Sequence, residues 1–402
     1  MTDAAASPRF ESKRRLILDE ATRLFKARGL KGATLIDVAR SIGLSNTSVS
    51  YYFPRRDDLA AACFFRTIAA YDALLDAVGP VEAEGRIRAF MDLHFAHLAR
   101  MARGEAPDLI GFSDLSALTG PQAQAVFEAF VNLFRRARAV LIGPPRPGDT
   151  ASARNARAHL LLSVVFGAAH WAREFEAEDL PRIGARTADI LLNGLSGAGA
   201  IWPPEPLDFD AGPDDGAREA FLRAATRLLN EKGYHGASVS QISARLGVTK
   251  GSFYHHLDTK ADLVSDCFDR SFGIVRRAQD AGFALEAPGL QRLSRTVAAL
   301  IRRQLSEQGP LLRHTALSAA PQEVRSDIAA ATRRVGDRFG QMVADGMIDG
   351  SIRAVDQTLA ARMLDDMINA AAELWRWTPD LGQADAVDHY ARPMMFGLKV
   401  QD

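Results

Sequence analysis

Apolar residues recur at helical spacing through almost the whole chain. Leu16, Ile17, Ala21, Leu24 and Phe25 form one stripe, which predicts an amphipathic helix over residues 11–28, ending at Gly29. Residues 1–10 carry no such stripe and are expected to be disordered. Thr34 opens a second helix, with Asp37 three residues on as a capping box and Leu35, Val38, Ala39 and Ile42 as its apolar face. Gly43 and Leu44 make a turn, Ser45 caps a third helix over residues 46–53, and Pro54 leads into a fourth through Leu59, Cys63, Phe64 and Ile68. The pattern then stays helical over residues 86–102, 111–119, 121–141, 153–176 and 183–195. No stretch alternates as a strand would, so the expected class is all-α.

One stretch departs from this core-building pattern. Residues 247–263, GVTKGSFYHHLDTKADL, read as a turn at Gly247, a helix capped by Thr249, and the start of another helix at Lys260. Only Phe253 and Leu257 anchor the short helix, while Lys250, Ser252, Tyr254, His255 and His256 cover the rest of it. A short, capped helix coated with hydrogen-bonding groups suits the DNA major groove.

The same organisation occurs twice. Sliding the chain by 204 residues lays residues 21–64 on residues 225–268 without a gap. ATRL meets ATRL, and Gly29, Gly32, Ala33 and Gly43 meet Gly233, Gly236, Ala237 and Gly247. Ser48, Asp58, Leu59, Cys63 and Phe64 meet Ser252, Asp262, Leu263, Cys267 and Phe268, and Trp171 meets Trp375. A tandem duplication of a two-domain unit follows, since so long a period excludes a solenoid. The expected domains are a head over 9–71, a helical body over 80–200, a Pro- and acid-rich linker over 201–216, a second head over 213–275 and a second body over 284–402.

Charge sharpens this division. The chain is neutral overall, but residues 9–68 hold twelve Lys/Arg against six acids, and residues 218–277 hold ten against six. Two basic modules on an acidic body point to a polyanionic partner. Two cysteines, Cys63 and Cys267, exclude a disulfide scaffold and are expected to be buried thiols. The first residues lack the apolar core of a signal peptide, and the most apolar run, 160–169, is too short to span a bilayer, so a soluble, cytoplasmic protein is expected. His94, His97, His159 and His170 lack a completing ligand set, so they read as core or pocket groups, and neither a metal nor a cofactor is expected. No catalytic set stands out either, so an enzyme is not expected.

Together the two segments resemble the DNA-binding region of TetR/AcrR-type bacterial transcriptional regulators. The resemblance rests on TRLFKARGLKGATLIDVARSIGLSNTSVSYYFPRRDDLA and TRLLNEKGYHGASVSQISARLGVTKGSFYHHLDTKADLV. Leu257 departs from the usual Phe, and Ser50 from the usual Tyr of the reader helix. It implies two helix-turn-helix heads, each on a helical body that binds ligand and dimerises. It also implies that Ser45, Tyr52 and Arg56, and Thr249, Tyr254, His256 and Lys260, grip operator phosphates. Asn46, Thr47, Ser48 and Tyr51, and Lys250, Gly251, Ser252 and His255, would face base edges. Lys13, Arg14 and Arg15 would form a basic arm.

For the bodies, Phe95, Phe112, Phe130, Phe166, Trp171, Met342, Met367 and Trp375 are the expected lining of a pocket for a small apolar ligand. Unlike bodies imply that one half alone retains such a site. Two assemblies fit: an intramolecular pseudo-dimer or a homodimer of whole chains. In the first, helices within 153–176 and 183–195 would pack on those within 355–377 and 384–398. The reader helices would then lie about one DNA turn apart, ~34–36 Å. The alternative function is a helical ligand- or protein-interaction protein whose heads have lost DNA binding.

Overall fold

The computed structural model describes residues 7–145, 148–209, 216–246, 259–313 and 322–399. Its described residues form helices joined by short turns, with a single isolated antiparallel bridge between Ser196 and Ile352. The first head comprises α1 (Pro8–Arg28), α2 (Leu35–Ser41), α3 (Asn46–Tyr52) and the start of α4 (Arg56–Ala77). Contrary to the expected disorder, α1 begins at Pro8, because the Ser7 side chain accepts a hydrogen bond from the Phe10 amide. Ile17, Leu18, Ala21, Leu24 and Phe25 are its buried face. At α2 the capping box forms: Asp37 N donates to Thr34 Oγ1 at 3.2 Å and Thr34 N donates to Asp37 Oδ2 at 2.9 Å.

The first body follows with α5 (Ala83–Ala102), a 3-10 turn at Phe112–Ala117, α6 (Gly120–Ala137), a π-turn at Arg138–Ile142, α7 (Ala151–Trp171) and α8 (Leu180–Asn193). In the second half lie α9 (Ala217–Gly236), α10 (Val239–Leu246), α11 (Lys260–Phe283), α12 (Gly289–Leu305), α13 (Gln322–Ile348), α14 (Gln357–Ala370), α15 (Gln383–Ala386) and α16 (Arg392–Phe396).

The sequence repeat is a repeat of tertiary contacts. Cys63 Sγ faces Leu18 O at 3.9 Å, and Cys267 Sγ faces Leu222 O at 3.7 Å. The Thr67 hydroxyl accepts from Ile110 N at 3.1 Å, and the Ser271 hydroxyl accepts from Leu312 N at 2.8 Å. Both thiols are buried, which pushes their pKa up to about 11 and about 12, so neither is a ready thiolate.

The two halves pack against each other. Helix α7 lies on α14 and on the Val387–Ala391 turn, while α8 lies on α14 and α16. At the seam the contacts are reciprocal: Ser196 N donates to Met395 O at 2.8 Å, and Lys399 N donates to Leu192 O at 3.1 Å. Ion pairs Arg353–Asp189 (2.8 Å) and Arg186–Asp356 (2.7 Å) flank it. This is the helical interface expected of a pseudo-dimer, made here within one chain. The second head also leans across: α9 rests on the Phe112–Ala117 turn of the first body and on the Leu30–Gly32 turn of the first head.

Candidate nucleic-acid interface and ligand cavity

The reader helix α3 is seven residues long and depends on its cap. Ser45 Oγ accepts from Ser48 N at 3.1 Å and lies 2.9 Å from the Thr47 hydroxyl. Val49 is its one buried residue. That anchor leaves Asn46 and Thr47 exposed, with Ser48 half-exposed. Tyr51 is 74% exposed, which leaves its ring free to meet a groove or a phosphate. Tyr52 is instead half-buried, with its ring 4.7 Å from that of Phe10. Arg56 is paired with Asp57 at 2.8 Å, so a phosphate would compete with that carboxylate. Lys13, Arg14 and Arg15 belong to α1 rather than to a free arm, and Arg14 sits over the Phe53 ring at 5.5 Å.

In the second head, Thr249, Lys250, Gly251, Ser252, Tyr254, His255 and His256 lie outside the described residues. The spacing between the two readers therefore lies outside them too. Thr259 caps α11, its hydroxyl accepting from Asp262 N at 3.1 Å. Lys260 is half-buried there, and burial first, then Lys31 of the first head, pulls its pKa below the usual lysine value.

Head and body are latched in the first half. Thr119 Oγ1 donates to Asp57 Oδ2 at 2.5 Å, and Gln122 Nε2 donates to Asp58 Oδ1 at 2.6 Å. Burial alone would raise the Asp57 pKa, but the hydrogen bonds from Thr119 and Arg56 bring it below the usual carboxylate value. The start of α6 is thereby tied to the start of α4, the helix that follows the reader.

Helix α6 also walls a cavity of about 1830 Å³. Phe112, Phe130, Phe166 and Trp171 line it as expected from the sequence. The other four expected residues do not. Phe95, Met342 and Met367 are wholly buried in the core, and Trp375 is 61% exposed on the outside. Their helical registers explain this: apolar spacing identifies inward faces but cannot separate core from cavity wall. Sequence reading also does not single out Tyr71, Arg135, Arg138 or Trp377, which line the cavity. A usable signal is the run Phe130, Phe134, Arg138, spaced four apart on one face of α6 and its π-turn.

His94 is 1% exposed on the cavity wall. Its Nε2 lies 3.1 Å from Val165 O, so Nε2 carries the proton and Nδ1 presents an unpartnered lone pair. Burial, with a smaller contribution from His97, pushes its pKa down to about 3, and burial pushes His159 down to about 4. Free histidine titrates near 6.5, so below that pH the unfolded chain binds protons that the folded chain refuses. Folding stability is therefore expected to fall as pH drops from about 6.5 toward 3, by about 1.4 kcal/mol per unit for His94. Urea melts at pH 7.5 and 5 test this: His94→Gln should flatten the fall, and an unchanged slope would refute the assignment.

A capped reader helix in a three-helix head, in a segment whose sequence recurs in the second half, defines a helix-turn-helix regulatory protein. Residues 17–63 and 221–267 both match the pattern described as bacterial regulatory proteins of the tetR family. Residues 286–398 match the tetracyclin repressor-like C-terminal domain, and the matched segments together make up about half of the chain. The chain belongs to the TetR family. It is 27% identical over 157 residues to the HTH-type transcriptional repressor DhaR of Mycobacterium sp. (strain GP1), a match covering 38% of this chain and 77% of DhaR. It is 27% identical over 186 residues to the HTH-type transcriptional repressor KstR2 of Rhodococcus jostii (strain RHA1), covering 43% of this chain and 86% of KstR2. Most of each relative thus fits on less than half of this chain, as a duplication requires. Among solved structures, the TetR family regulator PfmR from Thermus thermophilus is 21% identical with a TM-score of 0.37, covering 45% of this chain and 99% of PfmR. No helix among the described residues is long and apolar enough to cross a membrane.

Proposed function

We propose that the chain is a ligand-responsive transcriptional repressor that binds its operator as an intramolecular pseudo-dimer. The reciprocal seam, Ser196 N to Met395 O and Lys399 N to Leu192 O, carries this reading. It pairs the bodies of the two halves about a local two-fold, so one chain brings two heads to one stretch of duplex DNA. The curated relatives, themselves named as transcriptional repressors, support a regulator rather than an enzyme or an interaction protein with silent heads. The domain boundaries proposed are those of the sequence pattern: heads over 9–71 and 213–275, bodies over 80–200 and 284–402.

The readers are unlike, SNTSVSYYF in one head and TKGSFYHHL in the other. Unlike readers held by one chain read unlike half-sites, whereas a symmetric homodimer is suited to a palindrome. Regulation runs from the cavity along α6, through the Thr119 and Gln122 latch, to α4 and the reader. A coupling of ~1–3 kcal/mol along that path changes operator affinity roughly 5- to 150-fold.

Multi-angle light scattering tests the assembly. A particle of 43.7 kDa is expected at micromolar concentration, and a particle of twice that mass would establish a four-headed homodimer instead. Binding to duplex DNA should weaken steeply as salt is raised, because bound phosphates release counterions. Salt-independent binding, or none, would favour the interaction protein.

A further inference from the structure

The cavity wall carries nine Lys/Arg against five Asp/Glu, although the chain as a whole is neutral. Several of these cations have carboxylate partners. Arg376 faces Glu373 at 3.7 Å, Arg313 also pairs with Glu373, and Arg362 meets Glu174 at 2.8 Å. Arg138 is different. Its hydrogen bond is to neutral Asn155 at 2.5 Å, its Nε is buried without a partner, and its charged neighbours are Arg135 and Arg154. Burial and those two cations pull its pKa down, and no carboxylate among the described residues offsets them. A half-buried cation among cations is costly until an anion is supplied. Directly beside it the wall is aromatic: Trp377 of the second half stacks on Phe134 at 3.8 Å and lies 6.0 Å from Phe130. Asn155 also donates to Trp377 O at 2.7 Å, so the second half is part of this end of the cavity.

The core of the second half is packed with methionine instead. At the repeat offset of 204, which the Cys63/Cys267 and Thr67/Ser271 contacts keep along this pair of helices, Val275 replaces Tyr71. Met342 and Met363 are both fully buried, and the end of the Met342 side chain packs against Gly282. Methionine adapts its shape to close such gaps.

We propose that each chain binds one amphipathic anion, in the first-half cavity, with its anionic group on Arg138 and Arg135 and its apolar part against Phe112, Phe130, Phe134 and Trp377. The second half contributes wall but has no site of its own. This names the ligand of the regulator reading above and rests on it only for the consequence, not for the binding. The shared chemistry is a carboxylate or phosphate head on an apolar body. The free lone pair of His94 Nδ1 favours a body that also carries a hydroxyl or N–H donor.

Isothermal titration of the full chain with decanoate, decyl phosphate and neutral decanol tests the site. One equivalent of an anion should bind at least about tenfold more tightly than decanol, and the stronger anion tells carboxylate from phosphate recognition. Arg138→Met, which keeps a long apolar side chain and removes the charge, should remove that preference by lowering anion affinity toward that of decanol. Arg135→Met, on an exposed position, should weaken anion binding in the same direction and serves if Arg138→Met fails to fold. Equal affinity for decanol, two equivalents per chain, no binding of either anion, or an unaltered preference in the folded variants would overturn the proposal. Operator binding measured without ligand separates the two readings. DNA binding without anion binding sinks this site alone, whereas anion binding without DNA binding supports the site and sinks the regulator.

Discussion

Gly397→Ala is expected to destabilise the protein by about 3–5 kcal/mol, far beyond an ordinary glycine substitution. Gly397 sits at φ 90° on the seam, and an added Cβ would fall well inside contact distance of Leu192 O. Gly194, its counterpart at φ 68°, would meet Met395 O in the same way. Both obstacles are backbone atoms of the opposite half, so no side chain can rotate to make room. The seam must open, with loss of the Ser196–Met395 and Lys399–Leu192 hydrogen bonds, each worth about 1 kcal/mol. Gly104→Ala is the control. Gly104 has a similar φ of 72° but open space around it, so only conformational strain of about 1–2 kcal/mol is expected. Thermal melts decide. Equal shifts for the two variants would mean that the seam does not hold the halves. A freed seam should also let halves of different chains pair, seen as a concentration-dependent rise in mass.

The second large effect concerns the readers. Replacing Asn46 and Thr47 together by alanine is expected to cost roughly 5- to 150-fold in operator affinity, with protection lost over one half-site only. Both residues are exposed on α3 and neither contributes to the core, so the fold should survive. Tyr254→Ala and Lys260→Ala should remove protection from the other half-site, and each should cost more affinity than Ser50→Ala. Footprinting of the selected operator provides the measurement. A near-perfect palindrome, protected equally on both arms and weakened equally by every variant, would refute the division of labour.

The heads were readable from the chain because their signals are local. Thr34 with Asp37 and Ser45 before Asn46 are caps that act within one turn, and each forms as the spacing predicts. The repeat was readable for a similar reason: Cys63 and Cys267 keep the same partners at the same offset, so identity at aligned positions reflects identical environments. The cavity was only half readable. Phe95 and Phe112 have the same composition signal, yet Phe95 is sealed in the core while Phe112 faces open space. That difference depends on which helix packs opposite, a long-range fact.

By itself, then, the sequence determined the helical class, the two heads, the capped reader helix of the first and the unlike reader sequences, because short-range hydrogen bonding and helical periodicity set all of these. Tertiary structure alone decided three things. It put α7 and α8 on α14 and α16 of the same chain, and it left a cavity walled by α6 and by helices of the second half. It also set a tryptophan of the other half on Phe134, in the cavity wall that carries Arg138. Each depends on residues some 200 or more positions apart meeting in space, as Asn155 meets Trp377, and no local pattern encodes such a meeting.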